Sequence, residues 1–169
     1  MNENRLIIAS GIPGSGKTTW IKNHMQWFDE YVSRDEIRFA LLQPGDEYFA
    51  KEDECWRQFI GRIEEGLRNG KTVYADATHL NIRGRLKLLE ALKARPAHID
   101  ILDFQIPFEI ACERNDQREG LARVPRGQIR RMFFQRDEIQ YHEGKFVYDN
   151  IYTIDENGKM SVKQKEEDI

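Results

Sequence analysis

The 169-residue sequence has only two cysteines, Cys55 and Cys112, too few for a disulfide framework and without metal-ligand spacing. It has no apolar run near the roughly 20 residues that a membrane-spanning helix needs. The first residues, Met1-Asn2-Glu3-Asn4-Arg5, lack the charged-then-apolar build of a secretory signal. No internal repeat, linker or low-complexity block interrupts the chain. Extracellular, membrane-spanning, collagenous and zinc-finger classes are thereby excluded, and a compact cytoplasmic protein is expected. With 40% apolar residues, a chain of this length forms one domain and buries roughly 70% of its unfolded surface.

Lysine is also missing where positive charge is densest. Between Arg114 and Arg136 stand seven arginines and two acids, Asp116 and Glu119, a local charge of +5 in a chain of formal charge −3. A solvated helix face is the ordinary source of such a run. Arginine alone points further, because its planar fork suits phosphate better than an ammonium does. The acidic total argues against a general DNA-coating protein.

The pattern of apolar residues predicts alternating strands and helices. Strands are expected over 6–10, 31–33, 72–75, 98–104 and 151–154, the first a continuous apolar run of the kind a buried parallel strand shows. Helices are expected over 18–28, 35–42, 51–69, 82–94, 107–118 and 128–141, with a loop at 119–126. Trp20, Trp27 and Trp56 read as core residues. A turn follows at Glu156-Asn157-Gly158, and the polar close of the chain is expected to fray. Alternation of this kind makes a parallel sheet covered on both faces. Ligands then gather at the carboxyl ends of the strands.

Three of those ends carry unusual chemistry. Gly11-Ile12-Pro13-Gly14-Ser15-Gly16-Lys17-Thr18 is a complete P-loop between a strand and a helix. Its glycines let backbone N–H groups wrap a phosphate, Lys17 reaches the β- and γ-phosphates, and the Thr18 hydroxyl is a ligand for Mg²⁺. ATP and Mg²⁺ are therefore the expected ligands. After the second strand come Ser33-Arg34-Asp35-Glu36-Ile37-Arg38. Ser33 and Glu36 have capping-box spacing. Asp35 and Arg38 share a helix face, where a carboxylate could accept a hydroxyl proton and an arginine could hold an anion. Asp35 could equally serve the helix dipole alone.

After the third strand, Asp76 could support the magnesium shell or orient a substrate. Asn81 suits a helix cap, and His79 reads as an exposed loop residue. Arg114 and Arg118 lie one turn apart on a helix entering a loop with Gly120 and Pro125. There an arginine could neutralise charge on a transferred phosphoryl group. Arg123 and Arg126 could meet a phosphate or face solvent.

These segments together resemble the kinase domain of the phage polynucleotide 5′-kinases and the wider P-loop kinase family. The shared blocks are 11–20, 33–38, Asp76-Ala77-Thr78-His79-Leu80-Asn81, Arg114-Asn115-Asp116-Gln117-Arg118 and Val124-Pro125, spread over residues 5–154. The resemblance implies an α/β fold with a five-stranded parallel sheet in the order 2-3-1-4-5 and an Arg-rich lid at about 114–127. It implies Asp35 as general base, Lys17 and Arg118 as catalytic cations, and Arg38 as the clamp on a substrate phosphate. Gly11, Pro13, Gly14, Ser15, Gly16, Lys17, Thr18, Thr19, Arg114 and Arg118 are then expected on ATP. Asp76, Thr78, Asn81, Arg123, Val124 and Pro125 are expected on substrate. The segment after Asp76 is one residue longer than in the phage enzymes, and a single chemistry is expected, without the phosphatase domain that often accompanies this kinase.

The resulting expectation is a kinase over residues 1–155 with a polar tail at 156–169. It moves the γ-phosphate of ATP onto a hydroxyl, the 5′-OH of a nucleic acid end first among acceptors, with no membrane and no protein partner. A small metabolite, nucleotide or tRNA-linked acceptor is the first alternative. A slow ATPase acting as a nucleotide-dependent binding module is the second.

Overall fold

Leu6, Ile7, Ile8 and Ala9 are all buried in the first strand, β1 (Arg5–Ser10), and their alternation decides the layering. Leu6 and Ile8 point into one apolar core while Ile7 and Ala9 point into a second, as the two-residue period of a strand requires. The computed structural model describes residues 3–165. After β1 come α1 (Lys17–His24), β2 (Glu30–Ser33), α2 (Arg34–Leu41), α3 (Glu52–Arg68), β3 (Thr72–Asp76), α4 (Ile82–Ala91) and β4 (His98–Phe104). Then follow α5 (Phe108–Asp116), a 3-10 turn (Gly120–Ala122), α6 (Arg126–Phe134), a small hairpin of β5 (His142–Glu143) and β6 (Phe146–Val147), then β7 (Asn150–Ile154) and β8 (Met160–Val162).

The five parallel strands stand in the order β2-β3-β1-β4-β7, the order that the resemblance implied. The first core packs β1 and β3 against Ile37 of α2, Phe59 and Ile63 of α3 and Leu88 of α4. The second packs the opposite face against Ile21 of α1, Ala111 and Cys112 of α5 and Ile129 of α6. Cys55 and Cys112 are buried free thiols in different cores. Among the described residues, no helix is long and apolar enough to cross a membrane.

The largest departures from the expected boundaries are three. The helix expected over 18–28 stops at His24, because the Asp29 carboxylate accepts the Gln26 N–H at 2.8 Å and turns the chain toward β2. Trp27 is consequently 92% exposed instead of buried in a core. The helix expected over 128–141 ends at Phe134. Ile129 belongs to one core and Ile139 to the other, so one straight helix cannot serve both. The polar close is not wholly frayed either. β8 pairs antiparallel with β7 after a turn in which the Asp155 carboxylate accepts from Asn157 and Lys159, giving the sheet a sixth strand. The rest of the expected fray, 166–169, lies outside the described residues.

The hairpin β5–β6 has no counterpart in the expected elements. It delivers Glu143 to Arg85 of α4 in a fork-to-fork pair, both bonds 2.7 Å, with the two side chains 1% and 0% exposed. The Tyr148 hydroxyl donates to the same carboxylate at 2.6 Å.

Candidate active site

Parallel register brings the sequence blocks to one rim. Ala9 of β1 and Ser33 of β2 both pair with Asp76 of β3, so the chain leaves all three strands at the same level. Two glycines then shape the loop into α1. Gly14 and Gly16 have φ of 83° and 86°, a region that residues with a Cβ avoid. A Cβ on Gly14 would stand 2.1 Å from the Ala111 carbonyl oxygen of α5. Lys17 folds back over the loop and donates to the carbonyls of Gly11 at 2.8 Å and Ile12 at 3.2 Å. Burial pushes its ammonium down from the ordinary lysine range. The charges of Asp76 and Asp35 oppose that shift, and Arg118 adds to it.

The Thr18 hydroxyl donates to the Asp76 carboxylate at 2.7 Å, and the Tyr31 hydroxyl donates to the same oxygen. Burial, then the neighbouring Asp76 charge, pushes the Tyr31 phenol far above its ordinary range, so it stays a donor. A hydroxyl and a carboxylate thus sit together at the start of α1. Hard oxygen donors beside a phosphate cradle suit Mg²⁺ carried on a triphosphate, and a glycine loop that a Cβ would fill suits the phosphates themselves.

Across the rim, Ser33 caps α2 by accepting the Glu36 N–H at 3.2 Å. Only half of the expected capping box forms, because the Glu36 carboxylate pairs with Lys22 at 3.1 Å. Asp35 lines the cleft with Lys17 and Arg118. Its Oδ1 accepts from Arg38 at 2.6 Å and from the Tyr48 hydroxyl at 3.2 Å, and its side chain remains 59% exposed. Among the described residues no donor engages Oδ2. Burial, then the nearby Asp35 charge, pushes the Tyr48 phenol up to about 12.

Arg38 is held from behind by Glu52, whose two oxygens accept from its Nε at 3.1 Å and Nη2 at 2.8 Å. Arg34 donates to Glu52 as well. Burial opposes ionisation of Glu52, but its hydrogen bonds to Arg38 and the charges of both arginines hold the carboxyl below the usual range. Glu52 was not expected at the site. It lies on the following helix, where its sequence position reads as one more acid in a first turn.

The arginine-rich stretch divides. Arg118, Arg123, Val124 and Pro125 line the cleft, as does Thr78. Asn115, fully buried, accepts the Val124 N–H at 2.9 Å and donates to the Val124 carbonyl at 2.6 Å. Arg114, expected on ATP, donates to the backbone carbonyls of Ser15 at 3.4 Å and Glu156 at 2.8 Å, beside the loop and, like Gly11, Gly14 and Ser15, outside the cleft lining. Thr19 is exposed and also outside that lining. Arg126 pairs with Asp116 at 2.6 Å, and Arg130 and Arg136 lie over the rings of Phe108 and Phe133.

After β3, Asn81 accepts the Gly84 N–H at 2.8 Å and caps α4 as its position suggested, and it lies outside the cleft lining where the resemblance would put it on substrate. His79 is buried, not exposed, with φ of 42° and Nδ1 within 2.8 Å of the Ala9 carbonyl. Burial lowers its pKa to about 4, so the ring is neutral near pH 7 and serves the packing behind the loop.

The cleft between these groups has a volume of about 560 Å³. A phosphate-binding loop at the head of α1, on a 2-3-1-4-5 parallel core, defines the α/β fold of the P-loop kinases. The chain belongs to the AAA domain family, whose model matches residues 6–139. A chain of the Pnkp1/Rnl/Hen1 RNA repair complex is 25% identical with a TM-score of 0.64, covering 80% of this chain. This chain spans only 44% of that one. A sugar kinase from Janibacter sp. HTCC2649 is 19% identical with a TM-score of 0.54, covering 93% of this chain and 87% of its own. A fungal RNA kinase is 13% identical with a TM-score of 0.63, covering 91% of this chain and 38% of its own. The last two likenesses speak to the fold alone.

Proposed function

We propose that this protein transfers the γ-phosphate of ATP to a hydroxyl, with the 5′-OH of a nucleic acid end as acceptor. The observation that carries the reading is Asp35. One of its oxygens is pinned by Arg38 and Tyr48, the other has no donor among the described residues, and both share a cleft with Lys17. The free oxygen takes the proton of the acceptor hydroxyl. As that proton leaves, the hydroxyl oxygen bonds to the γ-phosphorus, the bond from γ-phosphorus to the β–γ bridging oxygen breaks, and ADP departs with that oxygen. Lys17 and Arg118 stabilise the charge on the phosphate oxygens, and the loop N–H groups hold the β-phosphate. Thr18 and Asp76 would hold Mg²⁺, which would neutralise charge on the phosphate oxygens.

Arg38 holds the phosphate adjoining the acceptor's hydroxyl, and the polynucleotide reading rests on it. Its engagement by Glu52 and Asp35 cuts its net attraction for an anion, which favours a second reading: a small, less charged acceptor. A panel of acceptors with labelled ATP separates the two. Oligonucleotides with a free 5′-OH should gain phosphate, and their KM should rise steeply with salt in rough proportion to the phosphates neutralised. Label appearing on a sugar or nucleotide and not on oligonucleotides would overturn the polynucleotide reading.

Glu52→Gln tests the support behind Arg38. A neutral amide cannot accept two charge-assisted bonds, and Arg38 loses its fixed direction. The KM for the acceptor should rise on the order of tenfold, while the KM for ATP holds. Equal changes in both constants would mean that Glu52 merely supports the fold.

A further inference from the structure

The cleft carries apolar surface that phosphoryl transfer does not use. Phe39 of α2 and Phe49 of the segment before α3 both line it, 36% and 59% exposed. Tyr48 lies between them, its centroid 6.2 Å from Phe39 and 4.7 Å from Phe49, both pairs edge-to-face. The Arg38 guanidinium stands 4.6 Å from the Tyr48 centroid and 5.9 Å from that of Phe49. The rings therefore begin where an acceptor's anion would be held. Leu121 and Met132 add aliphatic lining from beyond α5.

Hydroxyl partners are scarce at this end. Ser33 is committed to capping α2 and Tyr48 to Asp35. A polyhydroxylated ring laid on the phenyl surfaces would leave the hydroxyls on that side unmet, at the cost that unpaired polar groups carry. A flat, weakly polar ring would instead cover the exposed phenyl surface. Exposed aromatics elsewhere, such as Trp27 and Phe134, lie outside the cleft and meet no such group.

We infer that Phe39 and Phe49 form a stacking wall for a planar ring on the acceptor, so that the enzyme selects a hydroxyl whose own sugar carries a nucleobase. The inference rests on the polynucleotide reading above and names a specificity element within it.

The test uses two oligonucleotides alike except at the 5′ residue. One begins with a nucleotide and the other with a tetrahydrofuran abasic residue, each with a free 5′-OH and the same following phosphate. Wild type should favour the base-bearing end in kcat/KM by about fivefold or more, the effect of stacking one base. Phe39→Ala and Phe49→Ala should raise the KM of that end and draw the ratio toward one. Phe49→Trp should restore it. A wild-type ratio near one, or a ratio unmoved by both alanines, overturns the stacking wall and leaves the acceptor class standing. A rise confined to the KM for ATP, equal with both oligonucleotides, also overturns it and assigns the rings to the donor's adenine. If neither oligonucleotide gains phosphate while a small alcohol does, both readings fall.

Discussion

Asp35→Asn should lower kcat by about 10²–10⁴, the usual contribution of a positioned general base, while ATP binding measured by titration stays at the wild-type value. The asparagine keeps the shape of the side chain and can still accept from Arg38 and Tyr48, as the Asp35 Oδ1 does at 2.6 and 3.2 Å. What it loses is the second, basic oxygen. The KM for the acceptor supplies a cross-check. Removing a carboxylate frees Arg38 from one of its counter-charges, so an anionic acceptor should bind no worse than before. A fall in kcat with an unchanged or lower acceptor KM marks a proton acceptor. A raised KM with kcat intact would make Asp35 a binding residue and remove it from the chemistry.

The second large effect is on stability. Glu143→Ala should cost about 3–5 kcal/mol, because it leaves the Arg85 guanidinium buried without a counter-charge. Arg85 is the largest of the fully buried side chains, and its remaining partner is the His79 carbonyl at 3.0 Å. The midpoint of a thermal melt should fall on the order of 10 °C for a chain of this size. The double change Arg85→Met with Glu143→Leu should recover the share of that loss due to the unpaired guanidinium, since an apolar pair of similar volume suffers no desolvation and only the Tyr148 hydroxyl still lacks the acceptor that both variants remove. A single variant as stable as wild type would show that water or a neighbouring group reaches Arg85. A double variant as unstable as the single one would place the effect in packing of the hairpin.

The phosphate loop was legible because its parts are consecutive and its context, a buried strand before and a helix after, can be read from the same stretch. Asp35 and Arg38 were legible because a helix puts residues three apart on one face. Glu52 was not. It reaches Arg38 from the next helix, 14 residues on, and nothing local marks it. His79 misled in another way, since a polar residue after a strand reads as exposed loop, yet its ring is buried against the Ala9 carbonyl; Asn81 carried both a cap and a substrate reading, and the cap is the one formed. The strand order followed from the resemblance, and β7 closed it as expected. The sixth strand escaped notice because its three residues are all exposed and its Met-Ser-Val alternation is too short to stand out. The turn before it, Glu156-Asn157-Gly158, was the available signal, an Asn-Gly pair of the kind that joins antiparallel strands.

Asn115 ties a knot of a different sort. One buried amide clasps both backbone groups of Val124, nine residues away, so the stretch between them is a closed bight whose two ends cannot part. Arg118 and Arg123 ride on that bight. Much of the disorder that a free flap must surrender at every turnover has already been removed during folding. On the proposed reading, each ATP would meet cationic fingers already gathered, with only their reach left to adjust.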